Sequence, residues 1–352
     1  MLKVAVPLTL LSVAYPFAPV GPDAVGGAEQ VLATLDRSLT RAGHRSIVIA
    51  QEGSRCQGRL LPIPKPKDLS RDAQAEGHVQ VRRAIAQALE RYPVDLIHFH
   101  GVDFASYLPP DGLPVLATLH LPPHLYPREA FSPRRPGTFL HCVSESQTRA
   151  CPAGAPLMQA IPNGVDLEAL RPGPRKRSYA LSLGRICPEK GYHDGIDAAR
   201  KAGVRLILAG EVFPYENHQR YFQERIRPRL GRGVRFLGPQ ELGPKQRLLA
   251  AARCLLVPSH VPETSSLVSM EALACGTPVV AFRTGALPEV IDHGRTGFLV
   301  SSVDEMAGAL REVDAIDPAE CRREAERRFS SDLMVSRYLD LYRQLAAQLV
   351  HV

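Results

Sequence analysis

The chain has 352 residues, 45% of them apolar and 22% charged, with a net charge of +7. That length suits two domains of roughly 150–180 residues, and the composition is that of an ordinary soluble globular protein. Basic residues fall in short clusters, such as Arg175, Lys176 and Arg177, rather than in a tail, which argues against a nucleic-acid arm and suits an anionic substrate or membrane surface.

Taken in chain order, Lys3 precedes an apolar run from Val4 to Val20 that imitates a signal peptide. Pro7, Pro16 and Pro19 interrupt it and no clean small-residue cleavage site follows, so a buried strand plus loop is expected. No other apolar stretch reaches the ~18 residues that a membrane span needs. Short apolar strands are expected at Leu2–Val6, Ser46–Ala50, Leu96–Phe99, Val115–Leu119 and Phe139–Val143. Helices are expected at Gly27–Ala42, where Val31, Leu32, Leu35 and Leu39 share one face, and at Val79–Arg91. A breaker-rich join follows at Asn163–Arg177. Beyond it, strands at Ala180–Leu183, Arg205–Ala209, Val234–Phe236, Cys254–Val257, Pro278–Ala281 and Gly297–Val300 alternate with helices. Those helices are expected at Gly195–Ala202, His218–Arg229, Gly243–Ala252 and Leu267–Ala274, with a long helical pattern after Asp332. Short buried strands alternating with helices predict parallel sheets covered on both faces. The alternation occurs twice, so the fold class is α/β with two Rossmann-like domains. Seven cysteines, with no CxxC pair, read as free thiols of a reducing cytoplasm.

Four groups of residues sit where strand ends meet helix starts, the usual ligand position in open α/β sheets. Gly26 and Gly27 open the first helix and can offer N–H groups to an anion, though a tight turn uses glycine equally well. Gly184 ends a strand, and Arg185 and Lys190 straddle the loop behind it, as two cations that can hold a diphosphate or simply stand in solvent. Glu263 lies at the mouth of an apolar helix and Glu271 in its second turn. The helix N-terminus is an anion site, while carboxylates accept from hydroxyls; phosphate with hydroxyls describes a nucleotide sugar. Surface acids of a helix would have the same spacing. His98, His100 and His120 stand at strand ends, and a His-x-His pair without a spaced third ligand reads as hydrogen-bonded strand-end histidines rather than a metal site. A dehydrogenase is disfavoured because no Gly-x-Gly-x-x-Gly follows a strand.

Together these segments resemble glycosyltransferase family 4, retaining enzymes of GT-B fold with a Glu-x7-Glu motif. The likeness runs through Gly26-Gly27-Ala28-Glu29, Asp95-Leu96-Ile97-His98 with His100, Thr118-Leu119-His120, Val143-Ser144-Glu145-Ser146 and Pro162-Asn163-Gly164-Val165-Asp166. It continues through Gly184-Arg185, Lys190-Gly191, Glu263 to Glu271 with Gly276-Thr277-Pro278-Val279-Val280, Pro288-Glu289-Val290 and Gly297-Phe298-Leu299-Val300. The resemblance implies an acceptor-binding domain over 1–165 and a nucleotide-sugar domain over 178–331, facing across a cleft. It also implies a C-terminal helix over 332–352 crossing back to the first domain.

It implies a UDP-sugar donor, with a GDP-sugar as the other choice, and retaining transfer to a hydroxyl acceptor. No metal and no cofactor are expected, and the departing phosphate takes the acceptor proton. Arg185 and Lys190 would neutralise the diphosphate, Glu263 would bind hydroxyls of the donor sugar, and Glu271 the ribose. Backbone N–H groups from Ser265 through Ser266 and Leu267 to Val268 would face sugar and phosphate. His120 would contact the sugar, and Gly27 would approach the phosphate. The family commonly reads Glu-Gly-Phe-Gly-Leu where this chain has Glu263-Thr264-Ser265-Ser266-Leu267, which puts side chains at Thr264 and Ser266 beside the donor. A GT-B nucleotide-sugar 2-epimerase and a non-catalytic sugar-binding relative are the competing readings. The acceptor is not legible; a lipid-linked one would place a cytoplasmic protein at the inner face of the membrane, without nucleic acid as a partner.

Overall fold

The computed structural model describes residues 7–24, 26–68, 70–173 and 175–347. The chain divides into two compact units, one running to Pro162 and taking in the segment from Asp332 onward, the other spanning Asn163–Ser331.

In the first unit the strands are β1 (Thr9–Val13), β2 (Arg45–Gln51), β3 (Arg59–Ile63), β4 (Leu96–Phe99), β5 (Val115–Leu119), β6 (Thr138–Cys142) and β7 (Leu157–Met158). They form one parallel sheet in the order β3-β2-β1-β4-β5-β6-β7. Its helices are α1 (Gly27–Arg41), α2 (Arg71–Arg91) and α3 (Glu145–Ala150). The expected strand Leu2–Val6 lies outside the described residues, and β1 falls where a loop is expected. Its residues are all buried, because a central parallel strand is covered on both faces. The apolar pattern missed β3, a half-exposed strand at the sheet edge that includes Pro62, and an edge is where a strand tolerates proline.

The second unit holds β8 (Tyr179–Leu183), β9 (Arg205–Ala209), β10 (Val234–Phe236), β11 (Cys254–Val257), β12 (Val279–Phe282) and β13 (Gly297–Val300), in the order β10-β9-β8-β11-β12-β13. All its pairings are parallel. Around it lie α4 (Tyr192–Ala202), α5 (Glu216–Tyr221), α6 (Leu242–Ala251), α7 (Leu267–Ala274), α8 (Leu287–Val290), α9 (Val303–Glu312) and α10 (Pro318–Arg328). The helix expected over His218–Arg229 is not uniform: α5 passes into a π turn at Phe222–Ile226 and a 3₁₀ turn at Arg227–Arg229. Pro228, with no N–H to give, ends the regular ladder there.

Both sheets are Rossmann-like, with the strand order reversing between β1 and β4 and again between β8 and β11. Ligands of such sheets bind at the carboxyl ends of the strands flanking the reversal. The last helix, α11 (Ser331–Ala347), brings Tyr338 and Tyr342 onto the carboxyl end of the first sheet, where the Tyr342 hydroxyl lies 2.7 Å from His98 Nδ1. No described helix is long and apolar enough to cross a membrane, and the cysteines form no disulfide.

Candidate active site

In the second unit the loops after β8 and β11 meet because those strands are neighbours across the order reversal. His260 N donates to Glu189 O at 2.9 Å. Gly191 has φ +61°, and a Cβ there would come within 2.0 Å of Pro258 O, so only glycine lets the loops approach this closely. The approach carries Lys190 to Glu263: the ammonium Nζ donates to Glu263 Oε1 at 2.6 Å, although the residues are 73 positions apart. Both are half-buried. Arg185, five positions before Lys190, is exposed, its guanidinium carbon 5.8 Å from the centre of the Phe213 ring. Gly184 closes β8 with its N–H on Ala209 O at 3.1 Å.

Glu271 is buried in α7 and engaged separately. Lys245, from α6, donates to its Oε1 at 2.5 Å, so each of the two glutamates has its own lysine. Lys245 was invisible in the sequence, since nothing about Gly243-Pro244-Lys245 marks it as a partner of a residue 26 positions on. An Arg or Lys near any strand-adjacent helix would have looked the same.

The C-terminal end of α7 is held by cations, which suits the negative end of the helix dipole. Arg322 Nη1 donates to Ala274 O at 2.8 Å and Lys176 Nζ to Cys275 O at 3.1 Å. Burial lowers the Lys176 ammonium to about 8. The other end is open. No side chain caps α7 at Ser266, nor α1 at Gly26, nor α4 at Gly191. Ser70, Ser144, Ser302 and Asp317 cap α2, α3, α9 and α10. α5, α6 and α8 are likewise uncapped, so an uncapped start admits an anion at α7 without by itself marking a site.

Ser266 has φ +76°, a left-handed conformation found at no other non-glycine residue among those described. Its hydroxyl lies 2.7 Å from Ser269 Oγ. This explains why glycine is the family's usual residue at the second variable position and locates the chain's departure from it in a strained turn. Thr264, Leu267 and Val268 are half-buried, while Ser265 is buried with its Oγ unpartnered among the described residues. Ser266→Gly should hold stability within about 1 kcal/mol, whereas Ser266→Val should lower it by about 2 kcal/mol. Urea melts read the difference, and equal midpoints for the two variants would mean that the turn does not need a left-handed residue.

The first unit contributes its own candidates. Gly26 and Gly27 are exposed at the start of α1. A Cβ on Gly26 would lie 1.9 Å from Glu29 Oε2, so any larger residue there would have to displace the Glu29 carboxylate. Burial raises the Glu29 carboxyl above its usual range. His120 is buried at the end of β5, and its Nε2 lies 3.0 Å from His100 Nδ1. His98 and His141 both reach Thr118 Oγ1 at 2.6 Å. Burial lowers all four histidines, His120 to about 3 and His141 to about 4. At neutral pH they are uncharged, so His120 is equipped to hydrogen-bond and not to serve as a standing acid.

Comparison with known proteins bears on both units. Residues 25–169 match the family described as Glycosyltransferase Family 4, and residues 177–314 match Glycosyl transferases group 1. The chain is a GT-B glycosyltransferase. This glycosyltransferase is 36% identical over 168 residues to D-inositol 3-phosphate glycosyltransferase of Mycolicibacterium paratuberculosis, covering 42% of the chain and 38% of that relative's length. It is 26% identical over 395 aligned positions to glycogen synthase of Mycobacterium tuberculosis, covering 92% and 91% of the two chains. Among solved structures it resembles AviGT4, a glycosyltransferase involved in avilamycin A biosynthesis, at 25% identity and TM-score 0.72, covering 97% and 98% of the chains. Anabaena HepE, solved in complex with UDP-glucose, shares the fold at 20% identity and TM-score 0.73, over 98% and 100%.

Proposed function

We propose that this glycosyltransferase is retaining and metal-independent, moving a sugar from a nucleotide diphosphate sugar, UDP-linked in the favoured case, to a hydroxyl acceptor. The reading rests chiefly on the Lys190–Glu263 pair at 2.6 Å beside the uncapped start of α7. It sets a cation, a carboxylate and helix N–H groups together, one set of groups for phosphate and one for hydroxyls. HepE, which shares the fold, binds UDP-glucose; D-inositol 3-phosphate glycosyltransferase and glycogen synthase are relatives in sequence.

In the ligand-free chain, Lys190 and Glu263 neutralise each other. A donor divides them: the diphosphate takes the ammonium and the freed carboxylate accepts from sugar hydroxyls. Arg185 adds the second cation. As the bond from the anomeric carbon to the phosphate oxygen breaks, negative charge grows on the diphosphate, and cations already in place stabilise it more than they stabilise the bound ground state. The leaving phosphate oxygen then accepts the acceptor's proton while the acceptor oxygen bonds to the same face. Glu271, fixed by Lys245, accepts from the ribose. The second unit therefore takes the donor and the first the acceptor.

A panel of UDP-, GDP- and ADP-sugars, scored by thermal shift and slow donor hydrolysis, tests this. One UDP-sugar should stabilise the protein and release UDP. In Glu263→Gln the hydrolysis should fall far more than UDP affinity does. Collapse of UDP affinity in that variant would overturn the division of labour between the glutamates; no response to any donor would overturn the reading itself.

A further inference from the structure

Outside the candidate donor residues, His193, Asp194 and His260 place one ligand atom each within 4.8 Å of one another. Asp194 uses its two oxygens separately: Oδ1 lies 3.6 Å from His193 Nε2 and Oδ2 lies 2.8 Å from His260 Nε2. Two ligands at the ~2.1 Å typical of zinc–nitrogen and zinc–oxygen bonds stand about 3.4 Å apart in a tetrahedron; the His193–Asp194 contact is close to that spacing, and the His260–Asp194 contact is a direct ion pair that a bound ion would open. His193 is also oriented from behind. Its Nδ1 lies 2.9 Å from the hydroxyl of buried Tyr221, leaving Nε2 as the nitrogen that faces the cluster. Ligating histidines are commonly fixed in this way through their second nitrogen. Asp194 and His193 begin α4, whereas His260 comes from the loop after β11.

We propose that His193, Asp194 and His260 form a binding site for a divalent transition-metal ion of the zinc type, with the remaining position open to solvent. The ion would tie the loop after β11 to α4. None of the three residues is assigned a role in sugar transfer, and the site stands whether or not the donor reading does.

Co²⁺ titration of the metal-stripped full-length protein, followed by visible absorption and metal analysis, tests it. The expected result is tight binding with ligand-field bands and no thiolate-to-cobalt charge transfer. Tyr221→Phe should weaken affinity by about 10–100-fold, and His193→Asn or His260→Asn should remove the bands. His260 is 46% exposed at its side chain, so His260→Asn keeps the fold, which circular dichroism verifies. Three results would overturn the site: no bound Co²⁺, bands unchanged in both histidine variants, or a charge-transfer band abolished by Cys187→Ser. The last would put the ion on the neighbouring Cys187, Glu189 and His218 cluster.

Discussion

Lys190→Ala should lower turnover by about 10²–10³-fold, the usual scale for removing one preorganised group from a developing charge, while leaving the thermal midpoint nearly unchanged. The two halves of that expectation have separate causes. Lys190 is 27% exposed at its side chain and its partner Glu263 11%, and partly solvated ion pairs contribute little to folding. In the proposed mechanism the chemistry depends on the same ammonium far more, because a leaving diphosphate would have to be neutralised as the bond to the sugar breaks. Lys190→Arg should not restore the rate, since a broad planar guanidinium cannot occupy the position of a compact ammonium. The double variant Lys190→Ala/Glu263→Gln should be less damaged than the product of the single effects, because the two residues act on one donor and contact each other. Steady-state rates for the four proteins read this directly. A near-normal rate for Lys190→Ala would remove it from the diphosphate site.

Lys245→Ala should be the more damaging change to stability. It leaves the Glu271 carboxylate, 9% exposed at its side chain, without its cation, and breaking a buried pair by deleting one partner costs about 3 kcal/mol. The urea midpoint should drop accordingly, and UDP affinity should fall with it, because Glu271 loses the contact that fixes its rotamer. Removing both charges together, in Lys245→Met/Glu271→Gln, should recover much of the stability but none of the UDP affinity. That split separates a positioning lysine from a merely structural one. An unchanged midpoint and unchanged affinity in Lys245→Ala would show the pair to be dispensable.

Much of the second unit was legible as a string. Its strands β8, β9, β11 and β13 are short apolar runs bounded by glycine, proline or charge, and buried parallel strands have no other way to read. The edge strand β3 and the π turn after α5 were not legible. An edge strand needs only one good face, and the irregular turn is set by Pro228 together with packing rather than by periodicity. On the site, Arg185, Lys190, Glu263 and Glu271 stood out through their flanking motifs. The partner of Glu271 did not, since Lys245 lies on an unremarkable helix; nor did the separate cluster of His193, Asp194 and His260, because β9, β10 and β11 come between Asp194 and His260 in the chain.

The sequence by itself determined the α/β class, the two rounds of strand and helix, and the residues standing at strand ends. These follow from local periodicity and from the chemistry of single motifs. Only the tertiary structure decided which residues meet. The reversal of strand order between β8 and β11 makes neighbours of loops some 70 positions apart, a distance over which no local pattern carries information. Likewise, Ser266 is left-handed where α7 begins, against the preference of serine itself.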